Sequence, residues 1–210
     1  MNSRIIDRPH RGIYAACYGV AFLLLAWLIV INSRFTLALD HDIQSWLLPI
    51  TNPHMTKVVV VLTSIGSPAI AISLCTLVCI ILWILHERKD FWWSVCLLVG
   101  GNLLNFLVKN IVHRARPADK LVPQAGYSFP SGHTFGTGIL IMIVLAFFVA
   151  RIKNKPLRIT IETLGYVWIV IIALTRIYLH VHYPTDTIGA GLLVGFVWNT
   201  ALIGYRKYIH

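Results

Sequence analysis

Three short stretches of this chain combine side chains that can grip an anion and attack it. The first is Lys109-x6-Arg116-Pro117. Residues seven apart on a helix lie two turns apart on nearly the same face, so this spacing predicts two cations aimed the same way, with Pro117 discouraging further helix. Alone, the pair also fits two basic side chains snorkelling to an interface. The second stretch is Pro130-Ser131-Gly132-His133. A helix starting here offers unpaired N–H groups and a positive dipole end; Ser131 adds a capping hydroxyl and Gly132 admits close approach of a ligand. The third is Arg176-x5-His182-x3-Asp186. His182 and Asp186 stand one turn apart around Pro184, and a carboxylate on one imidazole nitrogen leaves the other free as a nucleophile. His180 lacks an acid four residues on and reads as a packing or secondary contact.

The elements that must position these residues are apolar. Of 210 residues, 57% are hydrophobic and 12% charged, and the mean hydropathy is +0.73. A soluble domain carries about a quarter charged residues, so this chain reads as an all-α, polytopic membrane protein forming a single domain over residues 1–210. Its net charge of +10 fits basic loops meeting anionic headgroups better than nucleic acid. Cys17, Cys75, Cys79 and Cys96 all lie in apolar runs without metal spacing and read as small buried side chains.

Six transmembrane helices are expected. The first runs from about Ile13 to Ile31 behind Arg4, Arg8 and Arg11, and is long enough to be a retained span rather than a cleaved leader. Residues 32–56 are more polar; Ile43, Trp46, Leu47 and Leu48 suggest a short interfacial helix, and Asp40-His41-Asp42 reads as solvated loop, since no further metal ligand follows at a defined spacing. The run from Lys57 to Leu85 is too long for one straight span, and Gly66-Ser67-Pro68 predicts a break between a short approach helix and the span proper. Later spans run from about Phe91 to Val112, from His133 to before Arg151, from Leu157 to Leu179, and from Pro184 to before Arg206.

Charge orients the bundle. Eleven of the 18 Lys and Arg residues fall at the N-terminus, in the 86–90 and 151–158 loops and at the C-terminus, which the positive-inside rule makes cytoplasmic. The opposite side holds Arg34, Lys57, Lys109, Arg114, Arg116, Lys120 and Arg176. Basic residues there oppose the rule and need another reason. All three motifs fall on that outer side, which places an active site at the outer membrane–water interface.

Together the motifs resemble the three-part signature of the type 2 phosphatidic acid phosphatase superfamily, over about residues 57–205. The resemblance implies hydrolysis of a lipid phosphate or diphosphate through a phosphohistidine. His182 would be the nucleophile, Asp186 its orienting carboxylate, and His133 the general acid and then base. Lys109, Arg116, Ser131, Gly132 and Arg176 would bind the phosphate. Undecaprenyl diphosphate and phosphatidylglycerophosphate are the favoured substrates. One departure is Thr175, where the family has serine before the arginine.

No metal or other cofactor is expected: the chain has eight acidic residues and no carboxylate cluster for paired cations. The expected partners are the lipid phosphate and membrane lipids. Tyr127, Phe129 and Tyr183 are candidates to pack on acyl or prenyl chains. A phosphotransferase of the same fold differs only in its acceptor and stays open. A transporter would line a path with ionisable residues mid-span, whereas these sit at helix ends.

Overall fold

The computed structural model describes residues 10–208, and Arg4 and Arg8 lie outside them. Eight α-helices follow in order: α1 (Arg11–Val30), α2 (Arg34–Leu47), α3 (Pro53–Ile65), α4 (Pro68–Ile84), α5 (Arg88–Val112), α6 (Gly132–Phe147), α7 (Lys155–Tyr178) and α8 (Pro184–Tyr208). Among the described residues there is no strand. Six segments are long and apolar enough to cross a membrane, with α3 and α4 together forming the second. The break falls at Gly66 and Ser67, as the sequence predicts, and Pro68 opens α4.

The helix starts follow a repeated local rule. Asn52, Ser67 and Asn154 cap α3, α4 and α7 by accepting the N–H of Met55, Ile70 and Leu157, and a proline follows within two residues each time. The side-chain oxygen satisfies one orphan donor, and the ring removes another where none is needed.

Helix α6 is the centre of the bundle. Residues Thr134 to Ile139 are all buried, and α6 packs against α4, α7 and α8. Close approach to α8 depends on Gly138, where a Cβ would lie 2.8 Å from Val194. Helix α1 lies along α8. Outward-facing Val20, Leu23, Trp27, Phe106 and Ile111 form the apolar exterior expected of a lipid-facing wall. Cys75 and Cys79 are buried as expected, but Cys17 and Cys96 lie on that exterior.

Two further local expectations fail. Lys109 and Arg116 do not share a helix: α5 ends at Val112, and His113 caps it in the left-handed region at φ 53°. Arg116 therefore stands on the extended segment that follows. Asp40-His41-Asp42 is not a loop but the middle of α2, and Asp40 is 2% exposed. The inward face of α2 is polar, carrying Thr36 and Asp40, whereas Phe35 and Trp46 point outward. That inversion suits a helix lying between a polar site and a membrane surface.

Candidate active site

The three sequence motifs converge at one end of the bundle, where α5 and α7 finish and α6 and α8 begin. His182 precedes α8, and Pro184 at the start of α8 places Asp186 in its first turn. His182 Nδ1 lies 3.4 Å from Asp186 Oδ2, and its Nε2 lies 3.1 Å from Arg116 Nη1. A guanidinium only donates, so Nε2 must carry the lone pair and Nδ1 the proton. The tautomer with its free electron pair on Nε2 is thus fixed from both sides. Burial pushes His182 down to about 4, against the pull of Asp186, so the ring is neutral at ordinary pH.

Arg116 reaches the site from its extended segment by anchoring to backbone carbonyls. Nη1 donates to Val181 O at 2.5 Å, Nη2 to Tyr127 O at 3.0 Å and Nε to Gly126 O at 2.9 Å. Lys109 clamps the Phe129–Ser131 turn from the other side. Its Nζ lies 2.9 Å from Tyr127 O, 3.4 Å from Ser128 O and 2.8 Å from Pro130 O. Ser131 caps α6 by accepting the Thr134 N–H and hydroxyl at 3.4 and 3.1 Å. Its own N–H donates to Asp186 O at 3.1 Å, which pins the turn to the start of α8. A Cβ on Gly132 would meet only ordinary contacts, at 3.6 Å from Pro68 and 4.0 Å from Asn105. Packing therefore does not demand glycine there.

Arg176 closes the ring. Nη1 donates to Thr63 Oγ1 and Nη2 to Gln124 Oε1, both at 2.9 Å. Its Nε is buried with no partner among the described residues. A buried donor left open this way is costly unless a ligand takes it. His133 is half-buried at the mouth of α6, within electrostatic reach of Arg176, His182, Arg116 and Lys109. The Thr175 hydroxyl turns back to Ile172 O at 2.6 Å, away from these groups.

Behind the histidine lies a layer of side chains that belongs to none of the three motifs. Arg114 Nη1 donates to Asp186 Oδ1 and to Thr185 Oγ1, both at 2.7 Å, and Nη2 donates to Asp40 Oδ2 at 2.5 Å. Asp40 also accepts the Thr185 N–H at 2.9 Å and its hydroxyl at 2.8 Å. The Tyr183 ring lies under the Arg114 guanidinium at 4.1 Å. Burial works against the charge on Arg114, but the two carboxylates outweigh it and raise the group. His180 makes a secondary contact: its Nδ1 lies 2.5 Å from Asp119 Oδ2. Phe129 is not available to a lipid chain. It is fully buried and stacks on Phe22 at 5.6 Å. Among the described residues, no three His, Cys, Asp or Glu side chains gather as a metal site would require.

At the level of class, this is a multi-pass α-helical membrane protein whose largest group of buried charges lies at one end of the bundle. Comparison with known proteins takes it further. The model of the PAP2 superfamily matches residues 90–210. Phosphatidylglycerophosphatase B of Bacillus subtilis is 30% identical over 186 residues, covering 84% of this chain and 88% of that protein. Phosphatidylglycerophosphatase B of Haemophilus influenzae is 31% identical over 85 residues, 40% of this chain and 34% of that protein. Among solved structures, the transmembrane PAP2-type phosphatidylglycerolphosphate phosphatase of Bacillus subtilis superposes with a TM-score of 0.78 at 22% identity, covering 93% of this chain and 97% of that one. LpxE of Aquifex aeolicus gives 0.58 at 20% identity, over 78% of this chain and 94% of its own. The chain belongs to the PAP2 superfamily and is a membrane lipid phosphatase.

Proposed function

We propose that this chain, acting as one domain, hydrolyses the terminal phosphate of phosphatidylglycerophosphate, or the diphosphate of undecaprenyl diphosphate, through a phosphohistidine on His182. The observation that carries the reading is the fixed tautomer of His182, with Asp186 on Nδ1 and the Nε2 lone pair beside the Arg116 guanidinium. Phosphatidylglycerophosphate is placed first because it is the substrate named for the Bacillus subtilis relative that matches most of this chain.

His182 Nε2 attacks phosphorus in line, and the P–O bond to the leaving lipid breaks. His133 gives its proton to the departing oxygen, then takes one from the water that attacks the phosphohistidine. Inorganic phosphate leaves and neutral His182 is restored. Arg116, Arg176, the Ser131 hydroxyl and the Gly132 N–H hold the non-bridging oxygens, with the open Nε of Arg176 as one ready donor. Lys109 contributes its charge and holds the turn in shape. These cations supply the positive charge that metal ions supply in many phosphatases. The Lys and Arg distribution supports a cytoplasmic position for both termini and a site on the outer face.

The test is phosphate release from a panel of lipid phosphates in detergent with EDTA, comparing the wild type with His182→Ala. Release by the wild type alone is the expected result, with the preferred lipid naming the substrate. Activity that EDTA abolishes and magnesium restores would remove the metal-free mechanism.

A further inference from the structure

Behind Asp186, a chain of buried charges continues to a helix that carries none of the three motifs. Asp186 Oδ1 is held by Arg114, and Arg114 spends its second terminal nitrogen on Asp40. The three side chains are 0%, 11% and 3% exposed. Thr185 stitches the chain together: its hydroxyl accepts from Arg114 and donates to Asp40, and its N–H donates to Asp40 Oδ1. Each carboxylate oxygen of Asp40 thus has a donor, and its partners lie 74 and 145 residues away in sequence. A buried guanidinium between two carboxylates is tolerated because both its terminal nitrogens are paired and hydrogen-bonded. Removal of the outer carboxylate would leave Arg114 free to shift toward or away from Asp186, and the aim of the histidine would shift with it. Asp40 sits on the polar, inward face of α2, whose outward Phe35 and Trp46 are exposed.

We propose that Asp40 is a positioning residue for His182, acting through Arg114 and Asp186, so that the short helix α2 forms part of the catalytic support. The inference rests on His182 being the nucleophile. A carboxylate in this place touches no substrate. Its effect falls on the step in which Nε2 must be aimed, and substrate binding at Arg116, Arg176 and the α6 N-terminus is spared. The helix that meets the membrane surface and the residue that attacks phosphorus are then one mechanical unit.

The experiment uses the full chain in detergent, with phosphatidylglycerophosphate or undecaprenyl diphosphate as substrate, whichever the wild type turns over. Asp40→Asn should lower kcat by about tenfold to a hundredfold, the range for outer supports of an oriented histidine, with KM within about twofold. Addition of Asp40→Asn to Arg114→Gln should cost less than about twofold beyond Arg114→Gln alone, because the first residue acts only through the second. Thr185→Val, which removes the hydroxyl bridge between Arg114 and Asp40 but leaves their direct ion pair, should give a smaller kcat loss in the same direction and serves if Asp40→Asn does not fold. Wild-type kcat in Asp40→Asn, or in Thr185→Val where Asp40→Asn fails to fold, overturns the proposal. So do fully multiplicative losses in the double variant, or a loss confined to KM. His182→Ala runs alongside. If it is silent, those outcomes count against Asp40 alone; if it still turns over, the nucleophile itself is wrong.

Discussion

The two ends of the helical bundle bury opposite kinds of surface. Away from the site, Trp93 meets Phe147, Trp198 and Tyr205 edge-on at 5.9, 5.4 and 5.7 Å. Its indole N–H donates to Ala201 O at 2.8 Å. That end is chiefly an aromatic core, in which the Tyr205 hydroxyl donates to buried Asp90 at 2.5 Å and the Ser94 hydroxyl has no partner among the described residues. At the site end, Asp40, Arg176, His182 and Asp186 are all buried. Burial of charge costs stability unless every group is paired, and here the Nε of Arg176 and the Nε2 of His180 are left without a partner among the described residues. One end holds the fold, and the other spends part of that stability on aiming a histidine.

The largest effect that separates the two ends is expected from Asp186→Asn. It removes the carboxylate that fixes the His182 tautomer, and kcat should fall on the order of a thousandfold or more, the scale on which loss of such a carboxylate acts elsewhere. A loss below tenfold would mean the tautomer is held by other means. Trp93→Ala probes the opposite end. It should cost about 3–5 kcal/mol of stability, read as a lower Tm in detergent, while kcat per folded molecule stays within about twofold. A comparable drop in kcat would show that the ends are not separable.

A smaller, graded effect is expected with pH. Protonated Nε2 cannot attack, and burial holds His182 at about 4 instead of the ordinary 6.5. The acid limb of single-turnover phosphoryl capture, where Nε2 takes up a proton, should therefore fall at about 4. An acid limb near 6.5 would mean an imidazole that water reaches freely. The smallest effect belongs to the lipid-facing wall. Cys96→Ser changes an exposed position and should alter stability by less than about 0.5 kcal/mol, with activity unchanged; a larger shift in Tm would place Cys96 in a contact.

Much of this division is visible in sequence. The spans announce themselves by length and hydropathy, and the break before Pro68 follows from its ring. The motif residues come together because each lies at a helix end on the same side. Legibility stops where partners are distant or where one backbone angle decides. The left-handed turn at His113 puts Arg116 off the helix, and seven-residue spacing carries no trace of that turn. Asp40 looks like part of a solvated acidic tract because its partners, Arg114 and Thr185, are far along the chain. Arg114 stands two residues from Arg116 among the outer-side cations that need another reason, but its carboxylate partners lie 72 and 74 residues away and sequence does not name them.

The central claim is that phosphate passes through His182. The direct test is a rapid quench of the protein with a lipid phosphate labelled on the terminal phosphorus, in EDTA, followed by separation of labelled protein. The account predicts transient label on the wild type that survives alkali, is lost in acid and is absent from His182→Ala. Turnover without such label, or equal label in both proteins, would contradict it.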